Sequence, residues 1–254
     1  EVVEIKEATF RLMERTGCRI YSPEALELLK KAGAEVSDEN LVRIPRNITE
    51  AALKTAPEKI NIYDRHGILA MELTERNTYF GPGVTCPHYN DPITLERRIA
   101  TKQDVISTTI VADALKNIDF LMSLCMIGDQ TPRLADIHEV DAMLRHSTKP
   151  ILTWTFDLDN LKDIVAMAEA VAGGEDALRE KPLLMMYSEP TTPLSHSKEA
   201  LEKVMYMAEK NLPCVYSPGM TFGGTAPVTL AGALTIGLAD VFVGIVISQL
   251  VREG

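Results

Sequence analysis

Four apolar segments begin at nearly constant spacing, and that spacing constrains the fold more than any other feature of the chain. They open at Asp119 (Phe120-Leu121-Met122), Pro150 (Ile151-Leu152-Thr153-Trp154), Pro182 (Leu183-Leu184-Met185-Met186) and Pro213 (Cys214-Val215-Tyr216). The openings stand 31, 32 and 31 residues apart by subtraction of their positions. Between them apolar residues recur at helical spacing, as Leu161, Ile164, Val165, Ala168 and Val171, then as Leu201, Val204, Met205 and Ala208. A unit of about 30 residues in which a helix joins two near-continuous apolar strands is a parallel βαβ crossover. The closed barrel and the open doubly wound sheet are both made of it. Three features favour the barrel. No G-x-G-x-x-G turn follows the first strand. The spacing is even, and Trp154, Tyr187, Glu189 and Tyr216 fall at strand C-terminal ends, where barrels build their sites.

The fold class expected is therefore α/β, a (β/α)8-type TIM barrel. A first strand near Tyr79 brings the strands in view to five. A closed barrel needs eight, so the chain reads as truncated after about five strands, with roughly three βα units beyond Gly254. Residues 78–254 would be these barrel units and residues 1–77 an N-terminal helical and hairpin appendage. In the appendage, helices are expected around Phe10–Met13, after Ser22-Pro23 and after Pro45-Arg46-Asn47. Val42 and Ile44 alternate as in a short strand, and a hairpin is expected around His66-Gly67. Within the barrel part, Asp91-Pro92 and Glu96-Arg97-Arg98 suggest a hairpin-like insert. Thr101 through Asp104 resembles a capping box opening a helix that runs to about Leu115.

Composition removes several function classes. The net charge is −10 and Arg97-Arg98 is typical of the short basic clusters present, so neither nucleic acid nor an anionic membrane is an expected partner. Cys18, Cys86, Cys125 and Cys214 lie far apart without a C-x-x-C pair, which argues against a disulfide framework or structural zinc. Reduced thiols and the lack of a visible signal peptide fit a cytoplasmic protein. The stretch from Asn211 to Ala239 carries no charge, but Pro213, Pro218, Gly219, Gly223, Gly224 and Pro227 divide it into strand, loop and helix. It reads as buried interior rather than a membrane span.

Three groups of residues could carry chemistry. Trp154 and Phe156 share one strand face by period-two alternation, as do Tyr187 and Glu189, and Tyr216 ends the last strand. Aromatic faces with a carboxylate attract a quaternary ammonium ion, and packing inside the core is the other use of such rings. The loop Ser188–Leu194 is stiffened by Pro190 and Pro193. Gly223, Gly224 and Thr225 precede a helix expected from Val228, with Thr225 as its N-cap and Pro227 in its first turn; such a start can hold a carboxylate or phosphate. Cys86 and His88 offer two metal ligands, too few for a site, so no metal is expected. His66, His138, His146 and His196 read as surface or loop residues, and Lys149 lies at the start of a strand, away from the catalytic end.

Several separated motifs agree in order with one family. Tyr79-Phe80-Gly81-Pro82-Gly83, Thr94-Leu95-Glu96-Arg97-Arg98 with Ala100-Thr101 and Asp104, and Leu115 through Phe120 are succeeded by Thr148-Lys149-Pro150-Ile151 and Thr192-Pro193-Leu194. Gly224-Thr225-Ala226-Pro227-Val228-Thr229-Leu230-Ala231-Gly232-Ala233 is the strongest of them. From residue 79 onward the chain resembles the trimethylamine methyltransferase family. The resemblance implies a β/α barrel and transfer of a methyl group from a methylated amine to the cobalt of a corrinoid carried by a separate protein. Some relatives use pyrrolysine, at a position the resemblance places beyond Gly254; others act on glycine betaine or related quaternary amines. No tightly bound cofactor is implied, and a homo-oligomer is expected. The alternative is a non-catalytic barrel that binds quaternary amines.

Overall fold

The computed structural model describes residues 1–83 and 86–254. The chain folds into two compact units, one of residues 1–57 with 187–254 and one of residues 58–186. The two ends of the chain share a unit, and the hairpin after residue 58 belongs with the strands and helices up to residue 186.

The first unit begins with α1 (Val2–Arg15), β1 (Cys18–Ile20), α2 (Pro23–Lys31), β2 (Glu35–Ser37), β3 (Leu41–Arg43) and α3 (Arg46–Thr55). Ser22 caps α2 by accepting a hydrogen bond from the Ala25 amide, with Pro23 in the first turn. Gly17 turns the chain between α1 and β1 at φ +76°, and a Cβ there would lie 2.4 Å from the Val42 carbonyl oxygen. A side chain is therefore excluded by both conformation and space.

The second unit is a contiguous stretch. Antiparallel β4 (Ile60–Tyr63) and β5 (Leu69–Leu73) form the expected hairpin, and β6 (Tyr89–Asn90) and β7 (Arg97–Arg98) form the insert. Next come α4 (Lys102–Ala114), α5 (Ala135–His146), β8 (Ile151–Thr153), α6 (Leu158–Ala172), α7 (Glu175–Glu180) and β9 (Leu184–Ser188), whose last two residues belong to the first unit. The capping box at Thr101 and Asp104 forms as expected. Lys149 donates to the Ala112 and Leu115 carbonyl oxygens at the end of α4, 2.8 Å each. That is a helix-terminating role.

Parallel contacts in this unit run in chain order. Leu121 bridges to Ile151, and Ile151, Leu152 and Thr153 pair with Leu184, Met185 and Met186. The strand expected at Phe120–Met122 is not continuous. Leu121 bridges toward Ile151, whereas Cys125 bridges to Cys86 and Ile127 to Ala100. The segment thus shifts from one neighbour to another before two successive residues can pair with either. The strand expected near Tyr79 contributes the Phe80 carbonyl, which accepts from the Asp119 amide at 2.6 Å; Val84 and Thr85 lie outside the described residues. The architecture is mixed α/β, with helices and small sheets and no closed barrel among the described residues.

The first unit resumes with β10 (Ser195–His196), α8 (Lys198–Lys210), β11 (Cys214–Tyr216) and α9 (Leu230–Val251). β10 pairs in parallel with β1, giving the sheet order β10-β1-β3-β2. α9 is the axis of the unit: α1, α2, α3 and α8 pack against it. Its Phe242, Val243, Val246 and Ile247 meet Phe10, Ile20, Leu29 and Ile44 in one core. By length and composition alone α9 could cross a membrane. Here it is a packed helix with Asp240 fully buried along it.

Candidate functional site

Trp154 and Phe156 lie just past β8 at its C-terminal end and come together as alternation requires. Their ring centroids are 4.6 Å apart at an interplanar angle of 81°, an edge-to-face pair. Phe156 is 41% exposed and Trp154 half-buried, so the pair forms a partly open aromatic corner.

What fixes that corner is a pair of buried carboxylates on α5, one turn apart. Glu139, 1% exposed, accepts from Trp154 Nε1 at 3.1 Å with one oxygen and from the Ile127 amide at 3.1 Å with the other. Asp136, also 1% exposed, accepts from the Thr155 hydroxyl at 2.6 Å, the Phe156 amide at 3.0 Å and Asn160 Nδ2 at 2.9 Å. The carboxylates bind three consecutive residues and set both rings. Burial pushes the Glu139 carboxyl up to about 7, while the Ile127 amide and the Trp154 and Ser123 side chains hold it back. Sequence reasoning passed over both residues. The available signal was their i, i+3 spacing beside the apolar Val140 and Met143, which puts them on an inward helix face.

The remaining expected residues lie in the first unit. Tyr187 donates its hydroxyl to Glu189 Oε2 at 2.9 Å, and burial together with Glu189 raises the phenol to about 12. Glu189 itself is exposed.

Tyr216 packs toward the helices. A Cβ on Gly244 of α9 would lie 2.3 Å from its ring, so the phenol rests directly on the α9 backbone. Its hydroxyl lies 2.8 Å from His196 Nδ1, with the rings stacked at 6.0 Å.

His196 is not a surface or loop residue, as it reads in the sequence; it belongs to β10 and is 0% exposed. The parallel pairing of β10 with β1 carries it inside. Its Nε2 stands 3.6 Å from Asp240 Oδ1, which accepts from the Leu194 amide at 3.0 Å. Burial lowers the imidazole to about 3 and raises the Asp240 carboxyl to about 6. His196 is thus neutral and no ion pair forms. His66 and His146 are exposed and His138 is half-buried.

Gly223, Gly224 and Thr225 do not open a helix. Thr225 Oγ1 accepts from the Thr221 amide at 2.9 Å in a tight turn, and α9 begins at Leu230 with Thr229 as N-cap, bound to the Gly232 amide. The turn bonds between Thr221, Gly223 and Ala226 hold the backbone out of helical conformation until Pro227 has passed. His88 Nδ1 faces Arg97 at 3.2 Å, and no cluster of three or more potential metal ligands occurs among the described residues.

The family model described as trimethylamine methyltransferase (MTTB) matches residues 1–254. The chain belongs to this family. Among its relatives, the trimethylamine methyltransferase MttB of Desulfitobacterium hafniense (strain DSM 10664 / DCB-2) is 33% identical, over all of this chain and 51% of the relative. The trimethylamine methyltransferase MttB of Methanosarcina thermophila is 30% identical, over all of this chain and 54% of the relative. A glycine betaine methyltransferase of D. hafniense (strain Y51) is 26% identical, over all of this chain and 53% of the relative. The chain therefore spans about half the length of the curated relatives it matches.

Proposed function

We propose that the chain forms part of a methyltransferase that moves a methyl group from a methylated amine, trimethylamine or a quaternary amine such as glycine betaine, to the cobalt of a corrinoid. The corrinoid, carried by a separate protein, enters as the second substrate. The observation that carries the reading is the open Trp154–Phe156 corner at the end of β8, in a chain of this family. The parallel contacts running in chain order through Cys86, Leu121, Ile151 and Leu184 favour a β/α barrel as the complete framework. In such a barrel the corner falls at the site-bearing end. A cytoplasmic homo-oligomer without a tightly bound cofactor of its own completes the reading.

The chemistry suits an aromatic site. A quaternary ammonium that gives up a methyl group becomes a neutral amine, so no acid is needed for it to leave. A carboxylate in direct contact would stabilise the charge that the reaction removes, whereas only interactions stronger in the transition state accelerate it. Aromatic faces hold the cation more lightly, at about 2 kcal/mol at best for a desolvated ring.

Calorimetric titration with trimethylamine and with glycine betaine tests the reading. Trp154→Ala is expected to weaken binding by up to about 30-fold, with the circular dichroism unchanged. Tyr187→Ala and Tyr216→Ala are run as separate variants. Tyr216→Ala is expected to lose stability rather than affinity, because that ring is packed on α9. Parent-like binding by Trp154→Ala would overturn the aromatic site. Adding a corrinoid protein in the Co(I) state and following its absorbance then tests methyl transfer itself; amine binding without a spectral change would favour the binding-only alternative.

A further inference from the structure

The Glu139 carboxylate is buried behind an aromatic ring, a place where a neutral side chain would be easier to accommodate. An ionised group there must be compensated, and replacing it with an uncharged residue is often neutral or stabilising. Each oxygen accepts one bond, Oε1 from the Ile127 amide and Oε2 from the Trp154 indole. Asp136, three residues earlier, already fixes the backbone of Phe156 and the Thr155 hydroxyl. Over an amide, an ionised carboxylate adds a second acceptor, here taken by the Ile127 amide, and a charge that acts through the Nε1–H bond on the ring.

We propose that Glu139 is a positioning residue that, through its hydrogen bond to Trp154, makes the indole face more electron-rich and so tunes the affinity of the Trp154–Phe156 corner for a methylated ammonium ion. The inference rests on the reading of that corner as the amine site. The N–H bond lies in the plane of the indole, so its acceptor sits at the ring edge and leaves the faces free. Negative charge at the edge deepens the negative potential over those faces, where a cation binds. The cation thereby gains attraction without touching a carboxylate, which is the compromise that a charge-losing substrate requires.

Because burial brings the carboxyl to about 7, its charge changes across the neutral range. Its near neighbours and the charged groups on adjacent elements are as follows. Asp136 shares its helix, and Cys125 and Ser123 approach from the preceding segment. Arg98 and Asp104 are paired with each other, α4 presents Lys102 paired with Asp141, Arg133 faces Asp157, and α6 contributes Asn160. The Cys125 thiol is pushed up to about 12 and stays protonated throughout. His138 adjoins Glu139 on α5, and His138→Asn serves as the control.

Trp154 is the single tryptophan among residues 1–254, so the indole emission of this chain comes from the residue in contact with Glu139. The experiment follows that emission, and the binding of tetramethylammonium, from pH 6 to pH 8.5 in the parent, Glu139→Gln, His138→Asn and Trp154→Ala. Gln keeps an oxygen acceptor for Nε1 and removes the charge, at the cost of the acceptor for the Ile127 amide, so the readout is the pH profile and not the absolute affinity. The parent is expected to show a fluorescence transition near pH 7 and affinity rising roughly threefold toward high pH, a fraction of the full cation–π attraction. Glu139→Gln should show neither change, while His138→Asn keeps both. Loss of both changes in His138→Asn would assign them to the histidine and overturn the proposal. A pH-independent parent, or a Glu139→Gln profile like the parent's, would also overturn it; the parent measurement needs no variant to fold. If Trp154→Ala binds tetramethylammonium as the parent does, the amine-site reading itself has failed. If it loses binding while the pH profile is flat, only the role of Glu139 has failed.

Discussion

Two aromatic residues at strand ends, Trp154 in the second unit and Tyr216 in the first, are each tied to a buried ionisable partner, with opposite results. Trp154 gives its one polar atom to Glu139 and remains half-buried in an open corner. Tyr216 lies flat on α9 with its hydroxyl against His196, whose own Nε2 has no hydrogen-bond partner among the described residues. The first arrangement satisfies the polar edge and leaves a ring available. The second spends the ring on packing and stores an unsatisfied nitrogen in the core. Late position in a strand is therefore insufficient to mark a binding residue; what the ring rests on decides its use.

The comparison can be broken most forcefully at Asp136. Asp136→Ala strips the shared acceptor from Thr155, Phe156 and Asn160. It is expected to cost about 3 kcal/mol in urea unfolding, since hydrogen bonds to charged groups and buried orphan donors are both expensive. A loss below about 1 kcal/mol would show that the corner is held by other means.

The pH dependence sharpens the contrast because His196 and Glu139 pull in opposite directions; Asp240, raised to about 6 beside His196, tilts stability the way Glu139 does, so the comparison is made on single variants. His196 is lowered to about 3, so between about pH 6.5 and pH 3 the unfolded chain binds a proton that the folded chain refuses, and stability falls as pH falls. Glu139 is raised to about 7, so from its ordinary 4.5 upward the folded chain holds a proton that the unfolded chain has lost, and stability falls as pH rises. His196→Gln should remove about 2 kcal/mol of the acid-side loss between pH 7 and pH 5. Glu139→Gln should remove a loss of similar size on the other side, on the order of 2 kcal/mol. Thermal melts across that range check both, and tilts in the same direction would refute the assignment.

Gly244→Ala drives a methyl group against the Tyr216 ring. Overpacking of this kind costs about 1–3 kcal/mol, offset by about 1 kcal/mol of improved helix propensity, and the net loss should shrink in Tyr216→Leu. The smallest effect belongs to Tyr187→Phe. It removes a hydroxyl whose partner Glu189 is exposed, and should change stability by about 0.5 kcal/mol or less. A larger change would mean that the pair is more than a surface contact.

Much of the framework was legible because it rests on period and punctuation. Ile151–Thr153, Leu184–Ser188 and Cys214–Tyr216 form where proline openings and apolar runs place them, and the capping box and the hairpin at His66-Gly67 arise from local chemistry. What failed depends on partners distant in sequence. Residues 120–127 are apolar enough for a strand, but two sets of neighbours divide them. Thr225 and Thr229 are equally good caps on paper; the turn at residues 221–226 selects the second. The corner was half-read. Alternation put Trp154 beside Phe156, whereas burial of Asp136, Glu139, His196 and Asp240 cannot be told from solvent exposure by residue type. Asp240 did leave a trace, as the charge that ends an uncharged run of residues 211–239.

The pairing of β1 with β10 carries a consequence for how the protein is made. Arg19 and Ile20 meet Ser195 and His196, and the core that encloses Phe10, Leu29 and Ile44 is closed by residues of α8 and α9. A ribosome delivering the chain from its start exposes the apolar faces of α1, α2 and α3 long before their cover exists. The contiguous stretch from residue 58 to residue 186 meets its own partners during that interval. Assembly of the split unit must wait for closure of a very long loop, the kind of contact that slows folding and prolongs exposure to aggregation. Synthesis order thus leaves the apolar faces of residues 1–57 uncovered until α8 and α9 have been made.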